Sequence, residues 1–362
     1  MLRLEARAQA SKPMRYLSPV IAAVLTVVCG MVFSAFAGLH PADAFHAFFV
    51  APIDDLYGVG ELFVKAAPLM LIATGLAIGF RSNIWNIGAE GQLTFGAICG
   101  GGLALYFHTS ESAWLLPAMV AAGAVGGGLW AAVPAFLRTR FNTNEILVSL
   151  MLNYVAVLFL SYLVHGPWRD PDGYNFPESR LFPDAAMLPV ILEDTRLHLG
   201  LVFALAAVAI GWVFVRKSFL GYQMRVAGLA DMAALYAGFD RKRMVWFGLL
   251  AGGVAAGVAG LCEAAGPIGQ LLPSVSPGYG YAAIIVAFVG RLHPLGILLA
   301  SLLMSLLYLG GESAQMDLGL PSAVTGIFQG LLLFFLLASD LFIHYRIRVR
   351  PRVPLAAAEA PS

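Results

Sequence analysis

The chain predicts an all-α polytopic membrane protein with about ten transmembrane helices. Three observations carry that fold class. Of its 362 residues, 59% are hydrophobic and only 12% are charged, whereas a soluble domain carries about 25% charged residues. The apolar residues fall into ten separate runs, most of them near the ~20 residues that a helix needs to cross a bilayer. The positive charges also collect in alternate connections, as expected of loops that stay on the cytoplasmic side.

The ten runs cover roughly 16–38, 62–80, 88–107, 113–137, 145–165, 198–215, 244–265, 278–290, 294–310 and 321–343. The first follows Arg3, Arg7, Lys12 and Arg15. It is longer than the 7–15 apolar residues of a signal peptide's core, so it reads as an uncleaved span despite the cleavage-like Ala35-Phe36-Ala37. The eighth, Gly278 to Gly290, is short, bounded by glycine and followed by Pro294, so it reads as a partial or tilted helix.

With the N-terminus inside and ten alternating spans, eighteen of the twenty-two Lys and Arg are cytoplasmic. They lie in the N-terminal segment 1–15, at Arg81, at Arg138 and Arg140, in the loop 216–243, at Arg291 and in the tail 344–362. Lys65, Arg169, Arg180 and Arg196 are the exceptions. Both termini are therefore expected in the cytoplasm, flanking a permease domain over 16–343. The largest external segment, 166–197, is proline-rich and net acidic, and reads as an ordered loop over the outer mouth. The stretch from Ala42 to Gly60 is also external, and the residues after Arg350 are expected to be disordered.

Polar residues inside apolar surroundings are the informative ones in a membrane. The first cluster, Asn83, Asn86, Glu90 and Gln92 with Gly88 and Gly91, separates the second and third spans. It reads either as a broken-helix segment bordering a polar path or as a cytoplasmic-side turn whose polar groups cap helix ends. In the second, Asn144 suits an N-cap and Glu145 the positive end of a helix dipole. Asn153 needs an interhelical hydrogen bond or a polar path, the bond being favoured. The third, Gly221 to Arg243, holds a short amphipathic helix that stops at Gly238. Such a helix lies on the membrane or docks into a partner.

Small residues four apart in Ala251–Gly260, such as Gly253 with Gly257 and Ala256 with Gly260, read as a close-packing seam. Glu61 and Lys65 are spaced to pair with each other, and Glu263 sits at an outer helix end. Cys29, Cys99 and Cys262 lie far apart in apolar runs and read as small core residues. The chain has no phosphate-binding Gly-x-x-x-x-Gly-Lys-Ser/Thr loop, so it cannot hydrolyse ATP by that means. No metal-ligand or nucleophile set stands out.

Four segments together resemble the simple-sugar and nucleoside group of ABC-importer permeases, relatives of the ribose and branched-chain amino acid permeases. They are Phe80–Gln92, Asn144–Tyr154, Gly221–Phe239 and Gly278–Gly296. Trp85 stands where the group has Phe, and Asp231-Met232 replaces an Asn-Pro-like helix start.

The resemblance implies a type II-like importer permease in the cell inner membrane that imports nucleosides or, second, simple sugars. It implies a path bordered by Asn83, Asn86, Glu90, Gln92, Asn153, Tyr279 and Tyr281. It implies an ATPase-coupling helix over Gly228, Asp231, Ala233, Ala234, Tyr236 and Gly238. The implied partners are a second, shorter permease, a cytoplasmic ATPase carrying Mg-ATP, and an external binding protein. This chain itself is expected to bind no cofactor, metal or nucleic acid. The competing reading is a secondary transporter driven by an ion gradient, for which Glu90 is the sole buried-carboxylate candidate.

Overall fold

The computed structural model describes residues 2–7, 11–36, 38, 40–321 and 323–349. The expected disordered tail after Arg350, and Ala37 of the cleavage-like triplet, lie outside the described residues. Among the described residues, eight helices are long and apolar enough to cross a membrane, and the chain is an all-α multi-pass membrane protein.

Two compact units are present, residues 1–45 with 326–362, and residues 46–325. In the first, α1 (Lys12–Phe36) and α13 (Ala323–His344) are joined by Ser18, whose Oγ donates to Asp340 Oδ1 at 2.9 Å. The strands β1 (Leu2–Ala6) and β2 (Tyr345–Val349) pair antiparallel, Leu2 opposite Val349. The apolar pattern gives no hint of this small ribbon, because it joins the two ends of the chain.

The second unit begins within α2 (Pro41–Phe49), a helix inside the stretch expected as an external connection. It continues through α3 (Leu56–Phe80), α4 (Ala89–Tyr106), α5 (Leu115–Phe141), α6 (Glu145–His165) and α7 (Gly200–Lys217). Then come α8 (Phe219–Leu229), α9 (Asp231–Tyr236), α10 (Arg241–Glu263), α11 (Tyr279–Val289) and α12 (Pro294–Leu318).

Short polar side chains set the helix starts. Asp55 accepts from Gly58 N at 2.6 Å, Asn144 from Ile146 N at 2.9 Å, Ser218 from Gly221 N at 2.8 Å and Asp240 from Lys242 N at 2.9 Å. Each satisfies an amide that the first helical turn leaves without a partner.

At the centre, α10 packs against α3, α4 and α5 along the small-residue seam. A Cβ added at Gly257 would lie 2.9 Å from Gly127 Cα, and one at Gly260 would lie 2.7 Å from the Leu93 carbonyl carbon. Backbones this close gain dispersion contacts and interhelical C–H···O contacts, which drive helix association where lipid replaces water.

Two of the ten expected crossings are not among the eight long apolar helices. The fourth helix starts with Glu90 and Gln92 and carries five glycines, while α11 has 11 residues and rises only about 16 Å. The segment 166–197, expected outside the membrane, is an ordered loop. It hydrogen bonds to the stretch after α10, with Phe182 N donating to Gly269 O and Leu188 N to Ala265 O, both at 2.8 Å.

One expected pair is corrected. Glu61 and Lys65 do not pair with each other. Arg196 of the 166–197 loop holds Glu61 in a two-pronged contact, with Nε to Oε1 at 2.8 Å. Lys65 Nζ instead reaches Glu312 of α12 at 2.8 Å. Helical spacing makes the local pair available, but Glu61 is buried at 5% exposure. A planar guanidinium satisfies both oxygens of a buried carboxylate at once, whereas an ammonium satisfies one.

Candidate functional site

Residues 81–88 leave α3, run irregularly and enter α4. Asn83 takes φ 55°, a left-handed conformation that asparagine tolerates better than most residues. Inside this segment, Asn86 and Gln92 form a reciprocal amide pair. Asn86 Nδ2 donates to Gln92 Oε1 at 2.9 Å, and Gln92 Nε2 donates back to Asn86 Oδ1 at 3.0 Å. Asn86 Oδ1 also accepts from Gly88 N at 3.0 Å. Both side chains are 1% exposed, so their hydrogen bonds must be, and are, made internally.

Asn153 on α6 stitches the same segment from the side. Its Oδ1 accepts from Gly91 N at 2.9 Å, and its Nδ2 donates to Ile87 O at 2.9 Å and to the Tyr281 hydroxyl at 3.1 Å. Ser149, one turn earlier, accepts from Ile87 N at 3.2 Å. The interhelical role favoured for Asn153 is the observed one, and Tyr281 brings it to the other broken segment. Glu145 is held by Arg138, Nε to Oε2 at 3.2 Å, and with the Asn144 cap it fills the structural role expected.

Glu90 joins α4 to α11. Its Oε2 accepts from Gly280 N at 2.7 Å, and the Ser276 hydroxyl and Gly278 backbone hydrogen bond to the same carboxylate. Ser276 Oγ in turn accepts from Tyr279 N at 2.8 Å. The start of α11 is thus capped twice, once by its own Ser276 and once by a carboxylate 190 residues away in sequence. The carboxyl group sits at the positive end of the α11 dipole. Gly278 makes the turn at φ 98° that few other residues adopt.

Neighbouring tyrosines separate. Tyr279 is 2% exposed and stacks edge-on against Tyr308 at 5.4 Å. Tyr281 is 40% exposed. Of the seven residues expected along a path, Asn86, Glu90, Gln92, Asn153 and Tyr279 are buried in mutual bonds or packing. Tyr281 lies at the surface of the cluster, and Asn83 is exposed towards α8, donating to Gly228 O at 3.0 Å.

Sequence reasoning did not single out Ser276, although its place three residues before Tyr279 is the spacing of an N-cap. It also missed the stack of Phe80, Trp85 and Phe288, whose ring centres lie 5.2–5.6 Å apart.

Beside Asn83, α8 and α9 meet at Ala230. The helix stops at Gly238 with φ 75°, and Phe239 N donates back to Ala234 O at 3.0 Å. Ala234 is buried, while Ala233, Met232, Leu235 and Tyr236 are exposed, Tyr236 to 91%. Arg241 pairs with Asp231 at 2.7 Å and braces the turn. Among the described residues, no group of three His, Cys, Asp or Glu side chains could hold a metal ion.

Residues 58–337 match the family model described as branched-chain amino acid transport system/permease component. The glucose ABC transporter permease protein TsgB13 of Haloferax volcanii is 36% identical over 358 residues, covering 96% of this chain and 94% of that protein. The guanosine ABC transporter permease protein NupP of Bacillus subtilis is 29% identical, covering 89% and 93%. The nucleoside ABC transporter permease protein NupB of Lactococcus lactis subsp. cremoris is 26% identical, covering 90% and 92%. No solved structure matches the chain. An eight-helix apolar scaffold, two interrupted polar segments joined at their helix starts and a family match over most of the chain agree, and the chain belongs to the branched-chain amino acid transport system/permease component family as a membrane-embedded ABC-importer permease subunit.

Proposed function

We propose that this chain forms one half of the translocation path for a small polyhydroxylated solute, a nucleoside or a simple sugar, in an importer of the inner membrane. The observation that carries this is the junction of α4 and α11 through Glu90 and Gly280. Two non-helical stretches meet there inside a membrane domain, and such backbone is tolerated where protein buries it or a watery cavity adjoins it. The Asn153–Tyr281 pair places the hydroxyl of a partly exposed tyrosine beside that junction, a group suited to a sugar or ribose hydroxyl. The path then runs past Asn86, Glu90, Gln92, Asn153, Tyr279 and Tyr281, with the buried ones as its supporting wall, and Asn83, turned towards α8, flanks it without touching solute. The likeness to glucose and nucleoside permeases supports this solute class.

In this reading α4 and α11 are crossing elements that bring the count to ten, and both termini are cytoplasmic. The pairing of β1 with β2, which sets the two chain ends side by side, supports an even count. Segment 216–243 is the coupling loop. Its exposed Met232, Ala233, Leu235 and Tyr236 are the knobs for a cytoplasmic ATPase that binds Mg-ATP. A second, shorter permease completes the path as a heterodimer, and a binding protein delivers solute at the 166–197 loop.

Glu90 speaks against an ion-gradient carrier, because its carboxylate is already engaged in capping α11. The test is uptake of radiolabelled guanosine and glucose by cells expressing the whole gene cluster, with and without Ala233→Arg. ATP-dependent uptake abolished by Ala233→Arg in correctly inserted protein is the expected result. Uptake that survives deletion of the ATPase and collapses with an uncoupler would overturn the reading in favour of the ion-driven carrier.

A further inference from the structure

The short segment between α3 and α4 holds α11 at both of its ends. At the start, Glu90 receives Gly280 N at 2.7 Å. At the finish, the Arg81 guanidinium donates to Leu292 O, with Nε at 3.1 Å, just beyond the last turn of α11. Between these two bonds Phe288 stacks on Phe80 and Trp85 at 5.4 and 5.6 Å. The Arg81 bond involves an ionised group and so is stronger than a neutral one. A tilt of α11 relative to this segment breaks one of the two bonds.

The same segment is in backbone contact with α8. A Cβ added at Gly228 would lie 2.9 Å from the Arg81 carbonyl carbon and 3.3 Å from Ser82 Cα, and Asn83 Nδ2 donates to Gly228 O at 3.0 Å. Gly228 therefore cannot approach further without moving the turn. Ile84 packs with Met224, Met244, Val245 and Leu249 beneath it, but α10 is itself locked into α4 and α5 by its small-residue seam. Residues 81–83, partly buried or exposed, lie outside that seam, and Arg81 ties them to the end of α11.

We infer that Arg81 and Asn83 are positioning residues that transmit displacement of the α8–α9 hairpin to α11, so that the cytoplasmic push reaches the path-side tyrosine, Tyr281, through one short loop. The inference rests on the importer reading of the coupling loop. It assigns to Arg81 and Asn83 no contact with solute.

The experiment reconstitutes the complete complex in proteoliposomes and measures solute moved per ATP hydrolysed. The probe is guanosine or glucose, whichever the unaltered complex imports. Asn83 is exposed, and although alanine strains its φ of 55°, an Asn83→Gly control takes that conformation freely, so Asn83→Ala can be read for the loss of its amide. It is expected to keep ATP hydrolysis near the unaltered rate while solute per ATP falls about tenfold, the scale of a typical coupling between sites. Arg81→Ala is expected to do the same, and Arg81→Lys, which can still donate to Leu292 O, to restore part of the ratio. An unchanged ratio in both alanine variants overturns the inference. So does a parallel fall of hydrolysis and uptake, which marks a merely structural role. Import by the unaltered complex without ATP hydrolysis would instead overturn the importer reading, and the relay with it.

Discussion

Replacing Gly280 by alanine tests the α4–α11 junction directly. The new Cβ would stand 2.6 Å from Glu90 Cα and 2.7 Å from the Ala89 carbonyl carbon. Ordinary contact begins near 3.4 Å, so the two helix starts must separate by about 1 Å, an overpacking that costs roughly 1–3 kcal/mol. A shift of that size also stretches the 2.7 Å bond from Gly280 N to Glu90 beyond hydrogen-bonding range. A lost bond to a charged group costs about 1.5–3 kcal/mol. The two effects overlap, because relieving the clash is what breaks the bond, so the expected total is about 3–4 kcal/mol.

The assay is the apparent melting temperature of the detergent-solubilised complex, followed by fluorescence-detected gel filtration, alongside uptake. Gly280→Ala should melt several degrees lower and import poorly. In a Glu90→Gln background the same change should cost visibly less, since part of what it removes is already weakened. A melting temperature and uptake indistinguishable from the unaltered protein would refute the close junction. Strictly additive effects of the two changes would refute the bond as its cause.

Three further outcomes are expected. Asn153→Ala strips Gly91 N, Ile87 O and the Tyr281 hydroxyl of a partner, and should cost about 2–4 kcal/mol, read as lowered melting temperature. Arg196→Ala leaves the buried Glu61 carboxylate without its guanidinium. Because Arg196 is itself half exposed, the cost should be about 2 kcal/mol, with Arg196→Lys recovering part of it in the same melting assay.

His198, buried at the start of α7, titrates from the ordinary 6.5 down to about 4 because burial penalises its charged form, the nearby Glu61 opposing this. Between those values the unfolded chain binds a proton that the folded chain refuses. Stability is therefore full above pH 6.5 and falls as the pH drops towards 4, by at most about 3 kcal/mol. The melting temperature of His198→Gln should be flatter over that window, and equal slopes for the two proteins would contradict the assignment.

The class of the protein was legible before any coordinates. Apolar run length, charge placement and small-residue spacing are local properties, and a bilayer imposes them on each segment separately. The caps at Asn144 and Gly238 were legible for the same reason, since the residue and the amide it satisfies lie within one turn. Even the suspicion about the two glycine-bounded segments was local, because polar residues and glycine inside apolar runs are conspicuous one run at a time.

What the sequence did not contain was who meets whom. Glu61 and Lys65 look like a pair on a helical wheel, yet each found its partner more than a hundred residues away, in Arg196 and Glu312. Glu90 reads as an isolated carboxylate until α11 brings Gly280 and Ser276 to it. Tyr279 and Tyr281 look equivalent, but α11 turns one into the core and leaves the other half exposed. A buried polar group must be satisfied by whatever the packed helices set beside it, and that choice depends on their mutual placement. The sequence by itself therefore determined the class, eight of the apolar spans and the suspect segments. The tertiary structure alone decided that those segments are one junction, held at Glu90 and Arg81.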